Sequence, residues 1–157
     1  MPFPEPLKKR LDTIISKHET KRSALIAVLR EIQNDYQYLS ADSMEEAANM
    51  LEISPSSVQN VATFYTMFFT EPAGKHVVWV CRTLSCALRG AEHVEHYMCD
   101  KLGVKTGETT PDGKITLMEA ECLASCGTAP VMLVDDTLEE NLTKERVDQV
   151  IQELRED

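Results

Sequence analysis

The sequence predicts an α/β domain preceded by an N-terminal helical bundle, and three observations carry that prediction. Apolar residues recur at helical spacing over roughly the first 70 positions. EPAGK, residues 71–75, then interrupts the pattern with Pro72 and Gly74. Beyond it, strand-like and helix-like segments alternate, which is the pattern of a small sheet covered by helices. The boundaries follow as residues 1–72 for the bundle and 73–157 for the α/β domain.

Leu7, Leu11, Ile14 and Ile15 define one apolar helical face, and Leu25, Ile26, Leu29, Ile32 and Tyr36 define a second after Thr20, a candidate N-cap. Ser43 with Glu46 fits a capping box ahead of Ala47, Met50 and Leu51. Ser54 followed by Pro55 starts a fourth helix carrying Val58, Val61, Ala62 and Tyr65. HVVWVC reads as a strand, and a helix follows from about Leu88 to Leu102. After the polar turn GETTPDG, KITLMEAE directs Ile115, Leu117 and Met118 at a core, and APVMLVDD offers another buried strand. A last helix, capped by Thr143, aligns Val147, Val150, Ile151 and Leu154. The second half therefore reads strand, helix, strand, strand, helix.

With 157 residues, the chain is long enough to bury about two thirds of its unfolded surface without disulfides. No apolar run approaches the roughly 18 residues that cross a bilayer, so no direct membrane insertion is expected. The N-terminus has a basic cluster after three prolines but no apolar stretch and cleavage site, which points to the cytoplasm rather than secretion. A net charge of -10, with Lys8, Lys9 and Arg10 as the one dense basic group, argues against nucleic acid as a ligand. No glycine loop for a dinucleotide phosphate is present.

Five cysteines, Cys81, Cys86, Cys99, Cys122 and Cys126, all fall in the second half. In a reducing compartment they read as thiols or metal ligands. Omitting Cys99, they form C-x4-C and C-x3-C, separated by residues 87–121. Each pair is expected to start at a strand end and finish in a loop, RTLSCALRG for Cys86 and LASCGTAP for Cys126, so that four thiolates converge on one edge. Such a set suits zinc or an iron-sulfur cluster. The gaps favour a 2Fe-2S cluster, whose ligands spread over two irons, while zinc knuckles more often use two-residue gaps; plain buried thiols are the third possibility. Ala124, Ser125, Gly127 and Ala129 leave room for close backbone approach.

Cys99 lies in the helical EHVEHYMCDKL, where a metal face with His93 and His96 is conceivable but a half-buried structural thiol is the commoner outcome. His18 and His76 have no sequence neighbour as partner and are expected at the surface. FYTMFF, Phe64 to Phe69, divides between helix-end packing and a possible docking patch.

With these features placed, the chain resembles the small 2Fe-2S subunit, the E-type or 24-kilodalton family, of the NADH dehydrogenase module of respiratory complex I. The resemblance rests on VATFYTMF, VCRTLSCALRG, LGVKTGETTPDGKITL, ECLASCGTAP and the closing Leu142-Thr143 before a helix, in that order. It implies a thioredoxin-like 2Fe-2S ferredoxin domain behind the helical bundle, and one 2Fe-2S cluster on Cys81, Cys86, Cys122 and Cys126. The family usually has glycine where this chain has Ala124, so a positive φ there would strain the alanine.

The resemblance also implies a redox subunit of an NADH:quinone oxidoreductase that supplies no catalytic acid, base or nucleophile. NADH and FMN are bound by a partner flavoprotein of the F type, from which the cluster takes one electron at a time. A large iron-sulfur subunit is a further expected partner. The complex is expected on the cytoplasmic side of the inner membrane, or the matrix side if eukaryotic. The equivalent subunit of an NAD-linked hydrogenase or formate dehydrogenase is the near alternative. A zinc-stabilised interaction module is the alternative of another class. A free thioredoxin-like oxidoreductase is weaker, because no C-x-x-C pair occurs.

Overall fold

The computed structural model describes residues 3–157, and the chain divides into two compact units, Met1–Pro72 and Ala73–Asp157. In the first unit, α1 (Glu5–Ser16), α2 (Leu25–Tyr36), α3 (Ala41–Leu51) and α4 (Pro55–Phe64) form a helical bundle. Leu7 and Leu11 of α1 meet Val28, Leu29 and Ile32 of α2, Ala47 and Leu51 of α3, and Val58 and Ala62 of α4 in one buried cluster. Ser54 caps α4 by accepting the Ser57 N–H, which leaves Pro55 at a position where no amide is needed.

Three details of this unit differ from the sequence reading. Thr20 precedes a 3-10 turn at Arg22–Ala24 rather than α2 itself, its hydroxyl accepting the Ser23 N–H at 3.1 Å, and α2 begins after that turn. Val28 takes the buried position on α2, whereas Ile26 and Tyr36 are exposed. The cap of α3 is Ser40, not Ser43. Ser40 Oγ accepts the Ser43 N–H at 3.2 Å, and Ser43, already in the first turn, donates its own hydroxyl back to the Ser40 carbonyl at 2.8 Å. Two serines three residues apart both satisfy a cap pattern, and the earlier one holds the extended backbone that capping requires.

FYTMFF is split by the end of α4. Phe64 stays 77% exposed, while Phe68 is buried. Gln33 fixes the return of the chain with both ends of its amide, donating to the Met67 carbonyl and accepting the Phe69 N–H, each at 2.8 Å. Leu39 N–H adds a bond to the Phe69 carbonyl at 2.7 Å.

In the second unit, β1 (His76–Cys81), β2 (Ile115–Ala120), β3 (Met132–Val134) and β4 (Thr137–Glu139) form one sheet in the order β2-β1-β3-β4. β1 and β2 run parallel, from His76 beside Ile115 to Cys81 beside Ala120, and β3 pairs antiparallel with β1. Parallel neighbours need a long crossover. Here it contains α5 (Leu84–Leu88) and α6 (Ala91–Leu102), and α7 (Lys144–Glu156) follows β4. Val78, Val80, Ile115, Leu117 and Met132 of the sheet share a core with Val94 and Met98 of α6 and with Val147, Val150, Ile151 and Leu154 of α7. Thr143 caps α7 by accepting the Arg146 N–H at 3.3 Å. The Ala129-Pro130 peptide is cis.

The crossover and the last hairpin correct the sequence reading. The helix expected from Leu88 to Leu102 starts at Ala91, because Gly90 at φ 92° breaks it from α5, a left-handed conformation that glycine adopts at little cost. β4 is an additional strand without a sequence signal. Asp135, at φ 52°, turns the chain so that three polar-edged residues pair back on β3. The same Asp135 accounts for His76, which is buried rather than at the surface. Its Nδ1 lies 2.8 Å from Asp135 Oδ2, and its buried Nε2 lies 3.3 Å from Asp157 Oδ2 without the alignment of a hydrogen bond. Both partners reach His76 through tertiary pairing, which sequence proximity does not reveal. His18 is half-buried, with Nδ1 2.9 Å from the Ile14 carbonyl.

Gly74 lies against β2, with its N–H donating to Thr116 Oγ1 at 2.6 Å. A Cβ there would stand 2.9 Å from the backbone of Ile115 and Thr116, and backbone in a paired strand yields little. Gly74→Ala is expected to destabilise the second unit by about 2 kcal/mol, read as a lower urea midpoint with an unchanged slope.

Candidate metal centre

The parallel register of β1 and β2 decides where the cysteines fall. Cys81 is the last residue of β1 and pairs with Ala120, the last residue of β2, so the chain leaves both strands at the same end of the sheet. From one exit it runs through Thr83 into α5, and from the other into the loop 121–131. Arg82 N–H still bonds the Ala120 carbonyl at 3.0 Å, which keeps the two exits side by side.

Two placements differ from the sequence reading. Cys86 lies within the short helix α5 rather than in a loop, because the turn closed by Ala87 N–H on the Thr83 carbonyl, 2.9 Å, starts a helix immediately after the strand. Cys122 lies two residues past the end of β2 and is exposed. Cys126 is also exposed, whereas Cys81 and Cys86 are buried with Ala91, Ala129 and Val131, against which Leu123 packs.

Cys86 interacts with Cys81 and, electrostatically, with Cys126. Burial pushes the Cys86 thiol up, and hydrogen bonding with Cys81 adds to this. The Val131 N–H, bonded to the sulfur, acts the other way by favouring thiolate. Ala124 N–H lies 3.3 Å from Cys122 Sγ. Among the described residues, no three cysteine, histidine or carboxylate side chains cluster around one point in the manner of ligands to a single ion. What the paired strand exits carry is an all-sulfur set, two thiols on each of two adjacent connections, with backbone N–H groups directed at sulfur. That donor chemistry fits an iron-sulfur cluster.

Ala124 has φ 59°, the left-handed conformation that disfavours a side chain. The strain conditional on positive φ is therefore present. Ala124→Gly is expected to stabilise the protein by about 0.5–1 kcal/mol, since relief of the left-handed alanine outweighs the extra freedom of glycine in the unfolded chain. A higher urea midpoint checks this.

The histidines of α6 do not join Cys99. His96 lines a cleft of about 340 Å³ beside Cys81, with Arg82, Glu92, Glu95 and Glu119, while His93 lines a separate groove with Arg89, Tyr97 and Lys144. Cys99 is half-buried against the sheet core, its sulfur 3.8 Å from Thr106 Oγ1.

Sequence reasoning misses a polar group beside the second cysteine pair. Ser125 donates to Glu140 Oε1 at 2.6 Å, and Thr128 donates to the same oxygen. These two bonds hold the Glu140 carboxyl below the usual carboxylate range. The hydroxyls within ECLASCGTAP are visible as residues, but nothing in the sequence links them to a carboxylate beyond two short strands.

The sequence profile of the thioredoxin-like [2Fe-2S] ferredoxins matches residues 11–155. The E subunit of the NADH-quinone oxidoreductase of Aquifex aeolicus is 40% identical over 134 residues, covering 85% of this chain and 84% of that protein. The protein of the same name from Rickettsia bellii is 41% identical over 149 residues, covering 93% and 89%. Among solved structures, an NAD+-reducing [NiFe]-hydrogenase in its air-oxidised state superimposes with a TM-score of 0.75 at 21% identity, over 83% of this chain and 22% of that one, a likeness of fold. The thiols at paired strand exits and a match spanning both units agree: the chain belongs to the thioredoxin-like [2Fe-2S] ferredoxin family, alongside the E subunits of NADH-quinone oxidoreductases.

Proposed function

We propose that this chain is the 2Fe-2S electron-transfer subunit of an NADH:quinone oxidoreductase, with Cys81, Cys86, Cys122 and Cys126 holding the cluster. The observation that carries the assignment is the emergence of both thiol pairs from adjacent ends of parallel strands. When bound, the cluster supplies a one-electron store between a two-electron donor and single-electron carriers. The residues of the chain set its surroundings. Cys81 and Cys86 are shielded from water, and the Val131 and Ala124 N–H groups directed at sulfur favour added negative charge. No acid, base or nucleophile is required of this chain.

The electron donor is a partner flavoprotein that binds FMN and NADH, with a large iron-sulfur subunit nearby. Leu84 and Leu88, 72% and 79% exposed and one turn apart on α5, flank Cys86 and give an apolar face suited to burial against that partner. No helix among the described residues is long and apolar enough to cross a membrane. Membership of a quinone-linked complex would hold the chain at the cytoplasmic side of the inner membrane through its partners. Relatives at 40% and 41% identity support the quinone-linked parent over a hydrogenase or formate dehydrogenase. Membership of a 2Fe-2S family likewise supports iron over the zinc-stabilised module.

Affinity purification of the tagged chain from its own cells tests this reading. It is expected to bring down a flavoprotein containing FMN, with NADH-dependent reduction of a quinone in the same fraction. Recovery of the cluster-loaded chain with hydrogenase or formate dehydrogenase subunits instead would overturn the assignment of the parent complex.

A further inference from the structure

We propose that Glu140 is a positioning residue that clamps the Cys122–Cys126 loop through Ser125 and Thr128, an inference that rests on that loop carrying half of the cluster. Apolar packing holds little of the first half of this loop. Cys122, Ala124, Cys126 and Gly127 are exposed, Leu123 alone of the first residues packs on apolar neighbours, and Ala124 is held in a left-handed conformation. Segment 140–142 braces this loop at three successive positions. Both Ser125 and Thr128 hydroxyls donate to Glu140 Oε1, with their own oxygens 2.8 Å apart. Asn141 N–H then bonds the Thr128 carbonyl at 2.7 Å, and Leu142 N–H bonds the Pro130 carbonyl at 3.0 Å.

The two backbone bonds fix the far end of the loop, residues 128–130. Of segment 140–142, only the carboxylate reaches Ser125, the residue immediately before Cys126. The Ser125 carbonyl also accepts from the Thr128 N–H at 3.3 Å within the loop. Bonds to a charged acceptor are stronger than neutral ones, so Glu140 supplies the strongest single polar restraint on the residue that directs Cys126. Ser125 and Glu140 thus act as one unit, and the hydroxyl at 125 restrains the backbone next to the strained Ala124.

Hydrogen exchange of metal-free protein and iron release from loaded protein to a chelator test the clamp together. Glu140→Ala is expected to speed amide exchange at residues 124–128, and iron release, by about fivefold each, while α6 and α7 exchange as before. Glu140→Gln, which keeps an acceptor oxygen, is expected to recover most of both rates. Ser125→Ala combined with Thr128→Val should match Glu140→Ala, and adding Glu140→Ala to that pair should change nothing further. Unchanged loop exchange in Glu140→Ala, or full additivity with the hydroxyl variants, would overturn the clamp. A wild-type chain without a cluster would contradict the proposed function instead, and the exchange data on metal-free protein would still decide the clamp.

Discussion

Cys81→Ser and Cys126→Ser are each expected to lower cluster-bound iron and sulfide by more than about tenfold, with the visible absorption lost in proportion. Serine keeps the size of the side chain but replaces a soft thiolate, the usual ligand of iron-sulfur clusters, with a hydroxyl that stays protonated near neutral pH. Changes beyond the ligand shell already cost a metal site about 10- to 100-fold in affinity, so loss of a ligand should cost at least that. Cys99→Ser is the internal control. Its thiol sits against the sheet core beside Thr106, away from the strand exits, and iron content should be unchanged. Iron and sulfide assays on the three purified variants, with folding checked by circular dichroism, separate the proposed ligands from the fifth cysteine.

Leu117→Ala is expected to destabilise the second unit by about 3 kcal/mol. Leu117 is fully buried in β2, and its removal leaves a cavity that paired strands cannot collapse to fill. Its backbone also anchors the preceding turn. Leu117 N–H bonds the Glu108 carbonyl at 3.1 Å, and the Leu117 carbonyl accepts from Gly107 N–H at 2.7 Å. Because β2 sets the exit of the Cys122 loop, iron release should quicken alongside the fall in urea midpoint. A loss under about 1 kcal/mol would show that the site repacks.

Features that depend on local pattern are legible in the sequence. Helical and strand periods place the apolar faces of α4 and α7, and Ser54 and Thr143 are readable as caps because their acceptor oxygens serve amides three residues away. Ser43 misleads as a cap because Ser40 offers the same chemistry one turn earlier. Features built by pairing across long separations are not legible. His76 meets Asp135 only once β3 lies beside β1, and β4 depends on the backbone at Asp135 more than on its own three residues.

At the site, the spacing of the cysteines is informative, but the reason the two connections that carry them leave the sheet side by side is the parallel β1-β2 register, which spacing does not encode. Ala124 shows the limit well. Its departure from the usual glycine is visible at once, yet only the backbone angle of 59° turns a substitution into strain. Glu140 is hidden altogether, because an exposed glutamate has no signature in sequence until Ser125 and Thr128 are found beneath it.

Iron, zinc and acid-labile sulfide assayed on the anaerobically purified chain, with an electron paramagnetic resonance spectrum after dithionite reduction, test the central claim most directly. A 2Fe-2S centre on Cys81, Cys86, Cys122 and Cys126 predicts iron and sulfide in equal amounts, no zinc, and a paramagnetic signal that appears on one-electron reduction and vanishes in Cys126→Ser. Folded protein that holds zinc without sulfide, or that stays silent after reduction following reconstitution with iron and sulfide, would contradict it.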